Sequence, residues 1–495
     1  LPVLGLLAVL ILLIALANYV NFSITKSTER AREVGVRKAA GAPARMLIGQ
    51  FMVESLVLIC IAWLLAILLL AAVIPLVNHL LQIHIIFTVG STAGYILAAL
   101  AASLLLGGLY PAIVLARYQP AIVLKGSWKN SASGLLLRKS LLLFQCTIAG
   151  GLLFCTLIMY KQTRFLQHTD PGYRSADLLR IFVPNDSTHL SAIKAFREAL
   201  AARSFTSAVS TSGIAYETQA FGSSILEKEE GGKMEVPIRF LAIDPAFLSA
   251  YAIPLVAGRA FSGSVAGDKG GAFMVNEALV RRMGWTHPVG MRSYDDKGNE
   301  QVLIGVVKDF HFESMHNKIE PLMMTYSDQQ SPVITAQVQP GSLSAVKKIY
   351  EQYISDIPFR HQYVTDMVAE QYVPDRKAAS VFNAFTLLAL FLACLGLYGM
   401  ASLLLRQRTR EIGIRKLLGA GQWQLARLLS GGFLQIVLLA LVIGLPVCYF
   451  LMNRWLTGYA YHVHMQWTDF LLPATGMVLL TLAVTGKEVG RALDV

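Results

Sequence analysis

Arg30-Ala31-Arg32-Glu33-Val34-Gly35-Val36-Arg37-Lys38-Ala39-Ala40-Gly41-Ala42 decides how this chain is read, because 378 residues later it returns as Arg408-Thr409-Arg410-Glu411-Ile412-Gly413-Ile414-Arg415-Lys416-Leu417-Leu418-Gly419-Ala420. From position 29 to 42 eight of fourteen residues are identical, and Val34/Ile412 and Val36/Ile414 are conservative exchanges. Each copy follows about 24 apolar residues and precedes about 25 more. A charged box held twice between hydrophobic stretches points to two equivalent contacts with one kind of partner. Self-similarity of this kind has to be found before any other element is assigned.

The 495 residues are 55% hydrophobic and only 15% charged, with a mean hydropathy of +0.53. Soluble domains are nearer about 45–50% apolar and about 25% charged, so the chain reads as a membrane protein. Its net charge of +12 is unevenly placed. Positions 161 to 376 hold 22 Lys/Arg against 24 Asp/Glu, and the remainder holds 21 against 7. The excess positive charge therefore lies beside hydrophobic segments, the pattern of cytoplasmic loops rather than of a nucleic-acid surface. Cys60, Cys146, Cys155, Cys394 and Cys448 all fall in apolar runs, which leaves neither a disulfide framework nor a CxxC metal site. The chain opens at Leu1 already inside an apolar run and shows no signal peptide, so it is expected to lack its true N-terminus.

Seven stretches have the roughly 20-residue apolar length of a membrane-crossing helix: 3–24, 47–72, 93–116, 139–160, 380–405, 430–452 and 469–486. The first three pair with the last three under the 378-residue offset, and 139–160 has no counterpart. Symmetry predicts that its partner lies upstream of Leu1 together with a second polar domain. Lys26, Arg30, Arg32, Arg37, Lys38 and Arg45 follow the first span, and Arg406, Arg408, Arg410, Arg415, Lys416 and Arg427 follow the fifth. The loop at 117–139 is similarly basic, whereas 75–92 has no Lys or Arg and 453–468 has only Arg454. Positive loops stay inside, so both boxes belong in the cytoplasm and 161–376 lies on the opposite side.

The 161–376 segment alternates helical and strand patterns. Positions 191–202, 343–354 and 276–283 have helical apolar spacing; 236–243, 301–307 and 333–338 are β-branched or alternating. Asp296-Lys297-Gly298 marks a hairpin turn. The expected class is an α-helical polytopic membrane protein with one α/β or α+β domain, and its roughly 216 residues leave room for two small lobes.

Within the boxes, Glu33–Arg37 and Glu411–Arg415 are i,i+4 pairs in the favourable order on a helix. Val34 with the 46–47 region, or Ile412, Ile414, Leu417 and Leu418, supply an apolar stripe, and Gly41 and Gly419 are placed to end the helix. A short charged-amphipathic helix of this kind can lie on lipid or dock into a protein groove. A plain stop-transfer collar would account for the Arg and Lys, but not for the repeated Glu-x-Gly-x-Arg-Lys-x-x-Gly-Ala order. In the polar domain Asp309, His311 and Glu313 would share one face of a strand and could then hold zinc; the plainer reading is a polar strand end with Phe310 and Phe312 facing the core. No P-loop appears, since Gly231-Gly232-Lys233-Met234 and Gly486-Lys487-Glu488 both fail its spacing, and HExxH, GxSxG and Rossmann motifs are absent. The spans are nearly free of charge, with Glu54 the main exception, which argues against an ion-coupled transporter. Neither an enzyme nor a bound cofactor or metal is expected.

Together these residues resemble the FtsX/MacB-type permeases of ABC transporters, in the long form with two permease repeats. The resemblance rests on the two boxes and on the Tyr110-Pro111 to Lys125-Gly126 segment. It also rests on Asn276-Glu277-Ala278, Met283-Gly284-Trp285, Pro288-Val289-Gly290, Ile304 to Ser314 and Ile319-Glu320-Pro321. It implies a first repeat at 1–126, a linker and span at 127–160, a MacB-like periplasmic core domain at 161–376 and a second repeat at 377–495. It implies an inner-membrane permease subunit whose partner, a separate ATPase in two copies, binds the ATP and docks on Arg32, Glu33, Gly35, Arg37, Lys38 and Gly41. The matching positions of the second box are Arg410, Glu411, Gly413, Arg415, Lys416 and Gly419. ATP-driven closure would then move outer domains, for export, lipoprotein or peptide handling, or control of a cell-wall hydrolase, with a periplasmic adaptor or hydrolase as a further partner. The C-terminal Val484 to Arg491 lacks the Asn-Pro tail of such permeases. A membrane receptor whose outer domain binds a ligand or hydrolase without transport is the alternative.

Overall fold

The computed structural model describes residues 2–81, 89–109, 113, 132–184, 186–212, 220–294, 298–327, 332–418 and 422–493. The chain forms two units: Leu1–Lys161 with Lys377–Arg454 and His464–Val495, and Gln162–Arg376 with Trp455–Val463.

The first unit is helical. Among the described residues six helices are long and apolar enough to cross a membrane. They lie in α1 (Pro2–Ala39), α2 (Ala44–Leu81), α4 (Ala132–His168), α10 (Val373–Leu417), α11 (Gln422–Leu456) and α12 (Thr468–Leu493). The expected third span is α3 (Val89–Ala102), continued by a π-helical stretch at Ser103–Leu109; the Tyr110 to Gly126 motif falls outside the described residues apart from Ile113. α1 runs for 38 residues, about 57 Å at about 1.5 Å per residue, against a hydrocarbon core of about 30 Å. The first box is thus the prolongation of a membrane helix and not the separate short helix that its composition suggests. Hydropathy changes after Ser23, but no proline or helix-stopping turn interrupts the backbone before Gly41. α10 does the same over 45 residues.

The span without a repeat partner, α4, is the hub of this unit. On α11 it packs through glycines: a Cβ on Gly151 would stand 2.6 Å from Cys448 Sγ, and one on Gly444 2.9 Å from the Thr147 carbonyl. Small residues let membrane helices approach in this way. Thr156 bonds Thr386 of α10 at 2.7 Å, Phe154 stacks on Phe470 of α12 at 4.9 Å, and Gln145 bonds Asn18 of α1 at 3.2 Å. Lys161 at its outer end pairs with the buried Asp469 at 2.6 Å.

The second unit is built from two lobes. Strands β1 (Leu178–Phe182), β2 (Thr206–Ser210), β10 (Val333–Val338) and β11 (Arg360–Tyr363) form a sheet ordered β11-β1-β10-β2, antiparallel throughout. Helices α5 (Leu190–Ala201) and α8 (Leu343–Tyr353) complete a βαββαβ arrangement of ferredoxin type. Alternation explains the layer: Leu179, Ile181, Ile334 and Ala336 share a core with Phe196 and Leu200 of α5 and Val346 and Tyr350 of α8. The second lobe is inserted between β2 and β10. Its strands β3 (Ala220–Glu227), β4 (Lys233–Ile243), β5 (Leu255–Gly258), β6 (Ala272–Asn276), β7 (Arg292–Tyr294), β8 (Glu300–Val307) and β9 (Leu322–Tyr326) run in the order β5-β8-β6-β9-β4-β3-β7. The turn expected at 296–298 joins β7 to β8, which do pair antiparallel, but Asp296 and Lys297 fall outside the described residues. Because β7 pairs with both β3 and β8, six of the strands close into a ring, which removes free edges. Phe273, Val275, Leu303 and Met323 point into its core, while Ala272, Met274, Leu322 and Met324 pack outside with α6 (Phe247–Tyr251) and α9 (Val364–Gln371). Where β5 meets β8 the backbones nearly touch: a Cβ on Gly258 (φ +75°) would lie 2.1 Å from the Ile304 carbonyl.

A surface clip ties α5 to the loop after α8. His189 contacts Asp186 at 2.7 Å through Nδ1 and Asp356 at 2.9 Å through Nε2. Bonds to Asp186 and then Asp356 raise the His189 pKa, and bonds from Thr188 and His189 hold the Asp186 carboxyl at about 2. The imidazolium contribution to stability is complete below an unfolded pKa of 6.5 and is lost as pH rises through the higher folded value. The Asp186 contribution is present above 3.8 and is lost as pH falls toward about 2. His189→Asn is expected to flatten the thermal-midpoint profile of the full chain on the alkaline side; an unchanged slope above pH 6.5 contradicts this.

Candidate functional site

Both boxes form the ends of long helices. In α1, Glu33 and Arg37 pair at 2.6 Å with about half of each side chain exposed, and Arg37 Nη1 also donates to Gln50 of α2 at 2.9 Å. Val34 is buried, as is Leu47 at the start of α2, so the first box keeps its valine inward while its Glu–Arg pair faces out. The helix stops where Gly41 takes φ +93°. Ala42 N–H then donates to the Arg37 carbonyl and Gly41 N–H to that of Lys38, both at 3.0 Å, the paired bonds of a Schellman end. Arg32, Gly35 and Lys38 lie on this same helical stretch.

The second box repeats the ion pair, Glu411 to Arg415 at 2.7 Å, and carries Arg410, Gly413 and Lys416 on α10. Gly419 lies outside the described residues. The two copies differ in apolar reach. Leu417 and Leu418 are 89% and 81% exposed, with Ile414 at 55%, where the first copy has Ala39, Ala40 and Val36. The second copy therefore presents large apolar side chains to the surface where the first presents small ones.

The polar cluster of the second unit does not converge. β8 ends at Val307, and from there the chain turns, His311 N–H donating to the Pro171 carbonyl at 2.7 Å; Asp309, His311 and Glu313 therefore do not line up on a strand. Asp309 accepts from Ala278 N–H at 2.8 Å and pairs with Arg281, fixing the start of α7 (Glu277–Met283). Glu313 pairs with Arg239 at 2.9 Å. His311 is buried against the edge of the Tyr461 ring, and that burial lowers its pKa. Asn276 joins the same staple, its Oδ1 accepting from Leu279 and Leu322 N–H. Among the described residues no three His, Cys, Asp or Glu side chains gather as metal ligands.

Residues 5–120 and 383–486 match the FtsX-like permease C-terminal family. The same family model thus matches the chain twice, once around each box. An uncharacterized ABC transporter permease of Bacillus subtilis (strain 168), YvrN, is 30% identical over 105 residues, and the alignment covers 21% of this chain and 25% of that protein. The chain thus spans about a quarter of the length of that relative. Among solved structures, the periplasmic region of MacB from Actinobacillus actinomycetemcomitans is similar over 40% of this chain and 94% of its own, with 13% identity and a TM-score of 0.29. The extracellular domain of the noncanonic ABC-type transporter YknZ from Gram-positive bacteria covers 37% and 98%, with 14% identity and a TM-score of 0.26. The FtsX-like repeats, the apolar helices and the basic loops beside both boxes make this a multi-pass protein of the inner membrane with an extracytoplasmic segment.

Where sequence reasoning falls short is in the setting of the boxes. Val34 and Leu47, both named in the apolar stripe, are buried, but the Arg37–Gln50 bond that joins α1 to α2 leaves no mark in the spacing.

Proposed function

We propose that this chain is the permease subunit of an ABC transporter and that a separate P-loop ATPase docks on the two boxes. One observation carries the reading. Each box is the unbroken end of a membrane helix, α1 or α10, so a push on the box acts along a rod and not on a hinged surface loop. α10 begins at Val373 and reaches Leu417 without a break, which lets a displacement at the cytoplasmic end travel to the start of the same helix. Helices of this length bend only gently unless a proline, glycine pair or bulge intervenes. The exposed Ile414, Leu417 and Leu418 supply apolar anchors, and the solvent-facing Glu–Arg pairs supply register, as charged groups at interfaces do. In this reading Arg32, Glu33, Gly35, Arg37, Lys38 and Gly41, with Arg410, Glu411, Gly413, Arg415, Lys416 and Gly419, form the two docking patches. The outward result of ATP turnover is movement of the extracytoplasmic unit.

The test is isolation of the intact protein from its own membranes in mild detergent. A P-loop ATPase is expected to co-purify and to hydrolyse ATP in the complex. Recovery of the protein without any nucleotide-binding partner contradicts the proposal.

A further inference from the structure

Trp455–Val463, the last two residues of α11 and most of its connection to α12, folds as part of the α/β unit. The binding is specific. Gln162, 1% exposed, donates to the Tyr461 carbonyl at 2.9 Å and accepts from Val463 N–H at 3.0 Å, a two-way bond like one rung of a β-ladder. Ala460 N–H donates to the His316 carbonyl at 3.0 Å. Tyr459 Oη donates to Asp375 Oδ1 at 3.0 Å, and Asp375 also meets His316 Nε2 at 3.2 Å. The His316 ring lies between Tyr372 and Tyr459, with centroids 5.9 and 4.9 Å away. Tyr461 meets His311 edge to face at 4.9 Å. Leu166, Met315 and Tyr372 form the apolar floor beneath both tyrosines.

This attachment gives His311 and His316 structural partners in Tyr461 and Tyr459. Shifted by 378 positions, Tyr459 and Tyr461 correspond to Leu81 and Ile83, which have no hydroxyl or ring to offer.

We propose that Trp455–Val463 is a strap, held by Gln162, His316 and Asp375 as positioning residues, that makes the outer end of the α11–α12 hairpin move with the α/β unit. Four chain crossings then join the two units, at 161/162, 376/377, 454/455 and 463/464. The first two belong to α4 and α10, and the strap recruits α11 and α12 as well. The attachment does not depend on the ATPase; only its use in an ATP-driven cycle rests on the function proposed above.

The experiment uses the full chain in lipid nanodiscs, with and without its ATPase. Spin labels replace the exposed Lys348 of the α/β unit and the exposed Leu451 of α11. In the otherwise unaltered protein the label distance is expected to be narrow and insensitive to nucleotide, with slow amide exchange over 455–463. Gln162→Leu combined with Tyr459→Phe is expected to speed that exchange tenfold or more and to broaden the distance, while protection of β6 and β9 and the rate of ATP hydrolysis stay as they were. Gln162→Glu keeps the acceptor for Val463 N–H but loses the donor, and should fall between. Tyr459→Phe alone is the control for a double variant that misfolds, since it removes one hydroxyl and keeps the ring. The proposal is overturned if exchange over 455–463 rises and the distance stays narrow, or if that segment already exchanges freely in the unaltered protein. If no ATPase associates, the nucleotide-free distances still decide whether the strap holds.

Discussion

Gly396→Leu should leave the membrane unit unable to assemble, with the full chain losing its sharp thermal transition in detergent. A Cβ at this position of α10 would stand 2.3 Å from Gln145 Oε1 and 2.8 Å from Asn18 Oδ1. Neither amide can step aside. Gln145 is fully buried and donates to Asn18 Oδ1 at 3.2 Å, while Asn18 Nδ2 donates to the Leu392 carbonyl of α10 at 2.7 Å. Gln145 Oε1 has no hydrogen-bond partner of its own and rests against the bare Cα of Gly396. Interhelical bonds in membranes average only about 0.6 kcal/mol, so breaking two of them is the smaller loss. Overpacking costs about 1–3 kcal/mol, and an amide pushed into hydrocarbon without a partner adds further cost of about the same size. Gly399, three residues along the same helix, has open space where its Cβ would stand, with nothing within 4 Å, so Gly399→Leu should be close to neutral. Equal damage from the two substitutions would show that the polar contact is not what matters.

Glu33→Lys together with Glu411→Lys should abolish capture of the ATPase while leaving the permease folded. The two statements separate because of where the charges sit. Each Glu–Arg pair is about half exposed, and such pairs contribute about 0.3–0.5 kcal/mol on a helix; reversing one charge destabilises by a similar amount. Neither α1 nor α10 depends on a term that small. At an interface, truncating or reversing a buried, hydrogen-bonded charge costs about 2–5 kcal/mol, at least about 30-fold in affinity at about 1.4 kcal/mol per tenfold. With both patches altered, little complex should survive purification, whereas either single change should leave a weaker one. An unaltered yield of ATPase with the double variant counts against docking at the boxes.

What the sequence discloses follows physical lines. The strand at 236–243 and the helices at 191–202 and 343–354 are legible because one face of each is buried and burial leaves a period, and the strands at 301–307 and 333–338 because of their β-branched runs; with 276–283 they correspond to β4, α5, α8, β8, β10 and α7. β6 and β9 are not legible in this way. All five residues of β6 are buried, and a short uniformly apolar run carries no period to read. Closure of the ring rests on Arg292↔Val302 and its neighbours together with pairs such as Met274↔Met324, and long-range register leaves no local mark. The offset gives α4 no partner and so no sign of its place at the centre of the helices; its glycines at 150 and 151 become informative only once Leu441 and Cys448 are seen against them. The boxes are easy to find, since repetition is the strongest local signal in the chain. Their nature is harder to read, since a change in hydropathy is not a change in backbone. Whether those residues hold a partner is a question of chemistry outside the chain, and it is the one on which the proposed function depends most.

Site-specific photo-crosslinking addresses it directly. A photoreactive side chain at Ile414 or Leu417, and separately at Val36, is activated in native membranes, with Val442, 70% exposed in the apolar middle of α11, as the comparison. Docking at the boxes predicts one protein adduct, a P-loop ATPase, from the box positions and none from Val442. Adducts to lipid alone at all positions would contradict it.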